Sequence, residues 1–135
     1  RQRMHDFVRQ MISLRRTRRV AFSPTDWGAS SPFAWKSASN ADKTDWSDRN
    51  LMIHYYDGSS GPDLAILINM ERAWVTFTLP DGREWHRIVD TQAYFEERGA
   101  EPRASGNIDL TGADVVPDPT YRAAGSSIVI LRAGE

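Results

Sequence analysis

Three histidines, eighteen carboxylates and five tryptophans are the side chains of this 135-residue sequence that could do chemistry, and there is no cysteine. His5, His54 and His86 lie far apart, with no histidine pair at i, i+4 and no nearby ligand cluster. A zinc site therefore has little support, and each reads as a surface or partly buried imidazole. Asp42, Asp45 and Asp48 recur at every third position. A calcium loop of the EF-hand type needs oxygens at every second position and a glycine at the sixth. No Gly-x-Ser-x-Gly is present, and Gly58-Ser-Ser-Gly61 lacks the spacing and the strand-to-helix turn that would expose a nucleophile, so it reads as a loop. No glycine-rich phosphate loop occurs either, and no cofactor is expected. The acids could be paired for glycoside chemistry in many ways, and the sequence singles out none of them. No catalytic and no metal residue is assigned.

The tryptophans carry more. Trp27, Trp46 and Trp74 are the candidate substrate-binding residues, as platforms on which sugar rings could stack. The plainer reading of a large aromatic in an irregular region is a plug at the edge of a core, and Trp35 is read that way.

Behind these residues stand the elements that must position them. From Asp63 to Asp90 three runs read as strands in succession, with Leu64, Ile66 and Ile68 alternating with Ala65, Leu67 and Asn69, then Val75, Phe77 and Leu79 alternating with threonines. Pro80-Asp81-Gly82 should fold the second and third back on each other as a hairpin, giving an antiparallel meander. Before it, residues 33–36 offer a short strand and residues 51–56 a longer one, partly apolar on both faces, as if its outer face were covered by a neighbouring body. After it, residues 107–110 offer a weak strand, and Pro117-Asp-Pro119 argues against regular structure around it. Residues 57–63 and 99–106 read as exposed loops, and Ser127 to Arg132 reads as a buried closing strand. The convincing helix is at the start, where Met4, Phe7, Val8, Met11, Ile12 and Leu14 recur at helical spacing. The fold class expected is mainly β: an antiparallel β-sandwich of six to eight strands preceded by one amphipathic N-terminal helix.

Length fits a core that buries roughly two-thirds of the unfolded chain's surface without staples. No apolar run reaches the roughly 20 residues that span a bilayer, and no membrane partner is expected. The lack of cysteine suits a reducing compartment, and a cytoplasmic location is expected. The chain opens on Arg1 with no signal-peptide pattern, so a piece of a longer protein is expected. Residues 1–19 hold seven arginines against Asp6 alone, which leaves the remainder at net −7. A basic arm can bind phosphates. The acidic body opposes it, and Arg15, Arg16, Arg18 and Arg19 read first as a solvated helix end whose cations suit the dipole. Nucleic acid is not expected as a partner.

Five stretches make the chain look familiar. Phe7-Val-Arg-Gln-Met-Ile-Ser-Leu-Arg-Arg16 resembles the last barrel helix of bacterial isoamylases and glycogen-debranching enzymes of the α-amylase superfamily. Phe33-Ala-Trp35 before a polar insertion ending in Asp45-Trp46, then Val75-Thr-Phe-Thr-Leu-Pro80 and Trp85-His-Arg-Ile-Val-Asp-Thr91, and finally Ser126-Ser-Ile-Val-Ile-Leu-Arg132 resemble their C-terminal β-domain in the same order. Thr17-Arg18 stands where these enzymes often have His-Pro. The resemblance implies that residues 1–19 end an upstream catalytic barrel and residues 20–135 form a C-terminal β-sandwich domain. The parent would be a glycoside hydrolase that cleaves α-1,6 branches of glycogen or a related glucan with two carboxylates, both located upstream. This portion would be noncatalytic, stabilise the barrel and contact glucan, and in isolation could self-associate through its helix. The alternatives are a stand-alone carbohydrate-binding module and, second, a nucleic-acid-binding domain with a basic arm.

Overall fold

The computed structural model describes residues 2–18, 33–56, 62–93 and 106–134. One helix, α1 (Gln2–Thr17), precedes eight strands: β1 (Phe33–Lys36), β2 (Asn50–Tyr55), β3 (Leu64–Asn69), β4 (Val75–Thr78), β5 (Trp85–Asp90), β6 (Asp114–Val116), β7 (Thr120–Ala123) and β8 (Ser127–Ala133). Six of them form an antiparallel sheet in the order β1-β2-β3-β8-β5-β6, and β4 pairs with β7 in a second, two-stranded sheet. The molecule is thus mainly β, a two-layer antiparallel sandwich with a helix on its outer side.

The period-two pattern of the strands becomes two chemically distinct faces. Met52, Ala65, Leu67, Val129, Leu131 and Trp85 point to the small sheet and meet Phe77, Leu79, Tyr121 and Ala123 in the main core. Tyr55, Leu64, Ile130, Ile88 and Val89 point the other way, where Leu14, Met11 and Phe7 of α1 cover them. β8 lies between β3 and β5 in the middle of the large sheet, as its β-branched run requires.

The expected meander is overturned. The three runs are strands, but none is hydrogen-bonded to the next: β3 pairs with β2 and β8, β4 with β7, and β5 with β6 and β8. Pro80-Asp81-Gly82 does turn the chain, with Gly82 at φ 79°. It carries the chain from the small sheet to the large one, and the Trp85 indole N–H donates to the Pro80 carbonyl at 3.0 Å across that corner. A turn signal specifies a reversal of direction; which layer the next strand joins is decided by the apolar faces it must bury.

Two other expectations change. Residues 107–110 make one isolated bridge, Ile108 to Val89, and no strand. Pro117 and Pro119 stand directly between β6 and β7, because that segment is another crossing between layers and a crossing needs no ladder donors. The expected loops over 57–61 and 99–105 lie outside the described residues, as does the boundary expected at residue 19, while Gly106 is buried. No helix among the described residues is long and apolar enough to cross a membrane.

At one end of the sandwich Asn69, fully buried, ties the layers together. Its amide N–H groups reach the carbonyls of Ala73, Ala123 and Ala124 at 3.0–3.2 Å, and its oxygen accepts the Glu71 N–H. The β7–β8 turn sits so close to the β3–β4 turn that a Cβ on Gly125 would lie 2.2 Å from the Arg72 carbonyl oxygen.

Candidate functional site

Of the three tryptophans proposed from sequence, Trp46 and Trp74 are described and Trp27 lies outside the described residues. Trp46 is 62% exposed and Trp74 55%. They make no ring contact with each other, so they are not one site.

Trp46 instead meets Trp35, with ring centroids 6.3 Å apart and planes inclined at 63°. Trp35 is on β1, an edge strand, on the same face as Phe33, against which its ring packs edge-on at 5.4 Å. The expectation that Trp35 plugs the core is overturned: it is 41% exposed, because an edge strand lacks a neighbour on one side. The loop carrying Trp46 is tightly held. Ser37 and Ala41 close it with a backbone bond of 2.8 Å, Asn40 adopts a left-handed φ of 64°, and the Lys43 N–H donates to the Trp35 carbonyl at 3.0 Å. The Lys43 side chain is buried beneath the loop, where its ammonium donates to Asp48 and to the Asn50 carbonyl and sits 5.8 Å from the Trp46 ring centre.

The three aspartates of this loop are each engaged separately. Asp42 pairs with Lys36 at 2.9 Å, and that hydrogen bond holds its carboxyl below the ordinary value. Asp45 accepts the hydroxyl and backbone N–H of Ser47, which lowers it likewise. With Asp48 bound to Lys43, the three do not converge, and no group of three or more metal-ligating side chains occurs among the described residues.

Trp74 precedes β4 in the other layer, with the Arg122 guanidinium 4.8 Å from its ring centre. One face of the indole is thereby taken up in a cation–π contact.

Two polar clusters were not legible in the sequence. His54 and Arg83 both reach the Asp63 carboxylate, His54 Nε2 at 3.0 Å and Arg83 Nε at 2.6 Å. Burial pushes the His54 imidazole below its ordinary 6.5, against the opposing pull of Asp63. A histidine–aspartate pair can orient a general base, and no hydroxyl among the described residues is hydrogen-bonded to His54. His86 is held between the Gly112 carbonyl and Glu84, and His5 lies exposed on α1.

The second cluster lies inside the sandwich. Arg87, fully buried, donates from Nε to Asp114 at 2.5 Å, and the Tyr121 hydroxyl donates to Asp90, whose carboxylate is 4.0 Å from the guanidinium. Residues three apart on a regular strand point to opposite faces. A bulge between Arg87 and Val89 shifts the register by one and turns both Arg87 and Asp90 into the space between the sheets. Its sequence signal is Arg87 and Asp90 beside Ile88 and Val89 in one strand run.

A groove of about 370 Å³ runs between the β4–β5 turn and the Pro117–Pro119 crossing, lined by Pro80, Arg83, Glu84, Val115 and Asp118 among others. Two stretches of the open surface are apolar. Leu51, Ile68 and Ile128 form a row on the helix side of the large sheet that α1 does not cover, and Met4, Val8 and Ile12 face outward from α1. A shallow hollow of about 290 Å³ between Phe7, Val8, Met11, Ile12 and Arg15 has almost no polar lining.

The class that fold and surface define is an antiparallel β-sandwich with a helix docked on its outer sheet. No protein-family model matches the chain, and no curated protein matches it.

Proposed function

We propose that this chain is the noncatalytic C-terminal β-domain of a glycoside hydrolase that cleaves α-1,6 branches in glycogen or a related glucan, and that it buttresses the catalytic barrel. The observation that carries the docking half of this reading is the helix. α1 is apolar along two adjacent stripes: Phe7, Met11 and Leu14 are spent on the sandwich, while Met4, Val8 and Ile12, one turn apart, are 66%, 48% and 49% exposed. A solvated helix has no use for the second stripe. Together with the uncovered row on the sheet it makes a surface of the kind that marks an interface. The identity of the body that covers it comes from the sequence resemblance, which makes α1 the last helix of a barrel.

Complementation tests this. A debranching-type barrel truncated before its last helix, co-expressed with residues 1–135, is expected to be soluble, to retain the chain on purification and to release linear chains from a branched glucan. Val8→Asp with Ile12→Asp should abolish retention while leaving the fold of the chain intact. Cleavage of a branched glucan by residues 1–135 alone would contradict the reading, and so would failure of the wild-type chain to associate.

A further inference from the structure

The Trp35–Trp46 corner lies on the β1 edge and its following loop, at the border of the helix side of the large sheet. Two indoles, 41% and 62% exposed, are held at the surface by a loop in which Lys43 donates to Asp48 and the Asn50 carbonyl and Ser47 donates to Asp45. Exposure of this much aromatic surface is unfavourable unless something covers it. The rigidity has a consequence: a preformed platform loses little conformational freedom on binding. Lys43 lies 5.8 Å from the centre of the Trp46 ring, and its buried side chain holds the ammonium on the protein side, which leaves the outer face of the indole for a ligand.

Phe33 packs edge-on against Trp35 and Ile53 is its partner across the strand pair, while hydrogen-bonding groups flank both rings in the chain. Asp45, Ser47 and Asp48 flank Trp46 in the chain, and Lys36 and Asp42 bridge the strand next to Trp35. An apolar platform with a polar rim is complementary to a pyranose ring, which presents C–H groups on its face and hydroxyls at its edge. A peptide helix or a second apolar surface would instead want an apolar rim.

We propose that the Trp35–Trp46 corner is a surface binding site for an α-linked glucan, with each indole seating one sugar ring. Rings seated on planes inclined at 63° are themselves inclined, which is the turn between successive units of a curved α-linked chain and not of a flat β-1,4 chain. The choice of an α-linked glucan rests on the debranching-domain reading; the existence of a stacking site rests on the corner alone. Trp74 is a different case, a single ring already stacked with Arg122.

The experiment is isothermal titration of residues 1–135 with maltoheptaose and, separately, cellohexaose, repeated with Trp46→Ala, Trp46→Tyr and Trp74→Ala. Saturable binding of maltoheptaose is expected, weakened about tenfold by Trp46→Ala, partly restored by Trp46→Tyr and unchanged by Trp74→Ala. Trp46 lies on an exposed loop, so thermal unfolding of Trp46→Ala should match the wild type. Absence of maltoheptaose binding, unaltered binding in Trp46→Ala, or equal affinity for cellohexaose would each overturn the proposal. So would a concentration-dependent dimer that Trp46→Ala dissolves, which would give the corner to a second copy. Retention by the barrel is scored with the α1 variants, so loss of sugar binding and loss of docking are read independently.

Discussion

Arg87 is the residue whose placement costs most and explains most. A guanidinium with no exposure to water must keep its carboxylates, and Asp114 supplies the closest of them, at 2.5 Å. Asp114→Ala removes that partner and should lower unfolding free energy by about 3–5 kcal/mol in urea titration. Tyr121→Phe, which removes only the hydroxyl given to Asp90, should cost about 1–2 kcal/mol. A loss below 1 kcal/mol for Asp114→Ala would mean that the cluster is not what closes the sandwich on that side. His54 sets a pH dependence. Its imidazole is held below 6.5, chiefly by burial, so the unfolded chain binds the proton more readily than the folded one. The stabilising contribution is therefore complete above pH 6.5 and is lost as pH falls from there toward the depressed folded value. Urea midpoints measured at pH 7.5 and 5.5 should drop more on acidification in the wild type than in His54→Asn, and the reverse order would contradict the assignment.

α1 is the element whose two stripes behave differently. Leu14 is buried against the sheet and closes the second core. Leu14→Ala should destabilise by about 2–3 kcal/mol, near the lower end for a buried leucine because the site lies at the molecule's edge. Ile12→Ala, on the open stripe, should stay within about 0.5 kcal/mol. Equal losses would show that both stripes are packed. The arginines at the helix end also divide. Arg15 and Arg16 remain in solvent near the negative end of the dipole, whereas Arg18 turns inward and donates to the Pro62 carbonyl, so the picture of a wholly solvated basic end holds only in part. β1 and β2 were legible from periodicity, as were β3, β4, β5 and β8. β6 and β7 were missed, because strands of three and four residues beside two prolines carry too few alternations to register.

At the scale of the whole molecule the unshielded surface predicts association. Val8, Ile12 and the row Leu51, Ile68 and Ile128 remain open, while the strands beneath them are fully paired. Residues 1–135 alone should self-associate weakly as concentration rises, and Val8→Asp with Ile12→Asp should return them to monomers in sedimentation equilibrium. A wild-type chain that stays monomeric at every accessible concentration would weaken the docking proposal.

Sequence alone determined the fold class, mainly β with one N-terminal helix. Alternation and helical spacing are local, so they fix which segments extend, which one coils, and that two apolar faces must be covered. The partners of those segments are another matter. That β3, β4 and β5 do not pair in succession follows only from how two layers share one core. That Trp46 meets Trp35 and not Trp74, and that a one-residue bulge aims Arg87 and Asp90 at Tyr121, depend on registers between strands distant in sequence. No local pattern encodes such a register, because it is the packing of the whole chain that selects it.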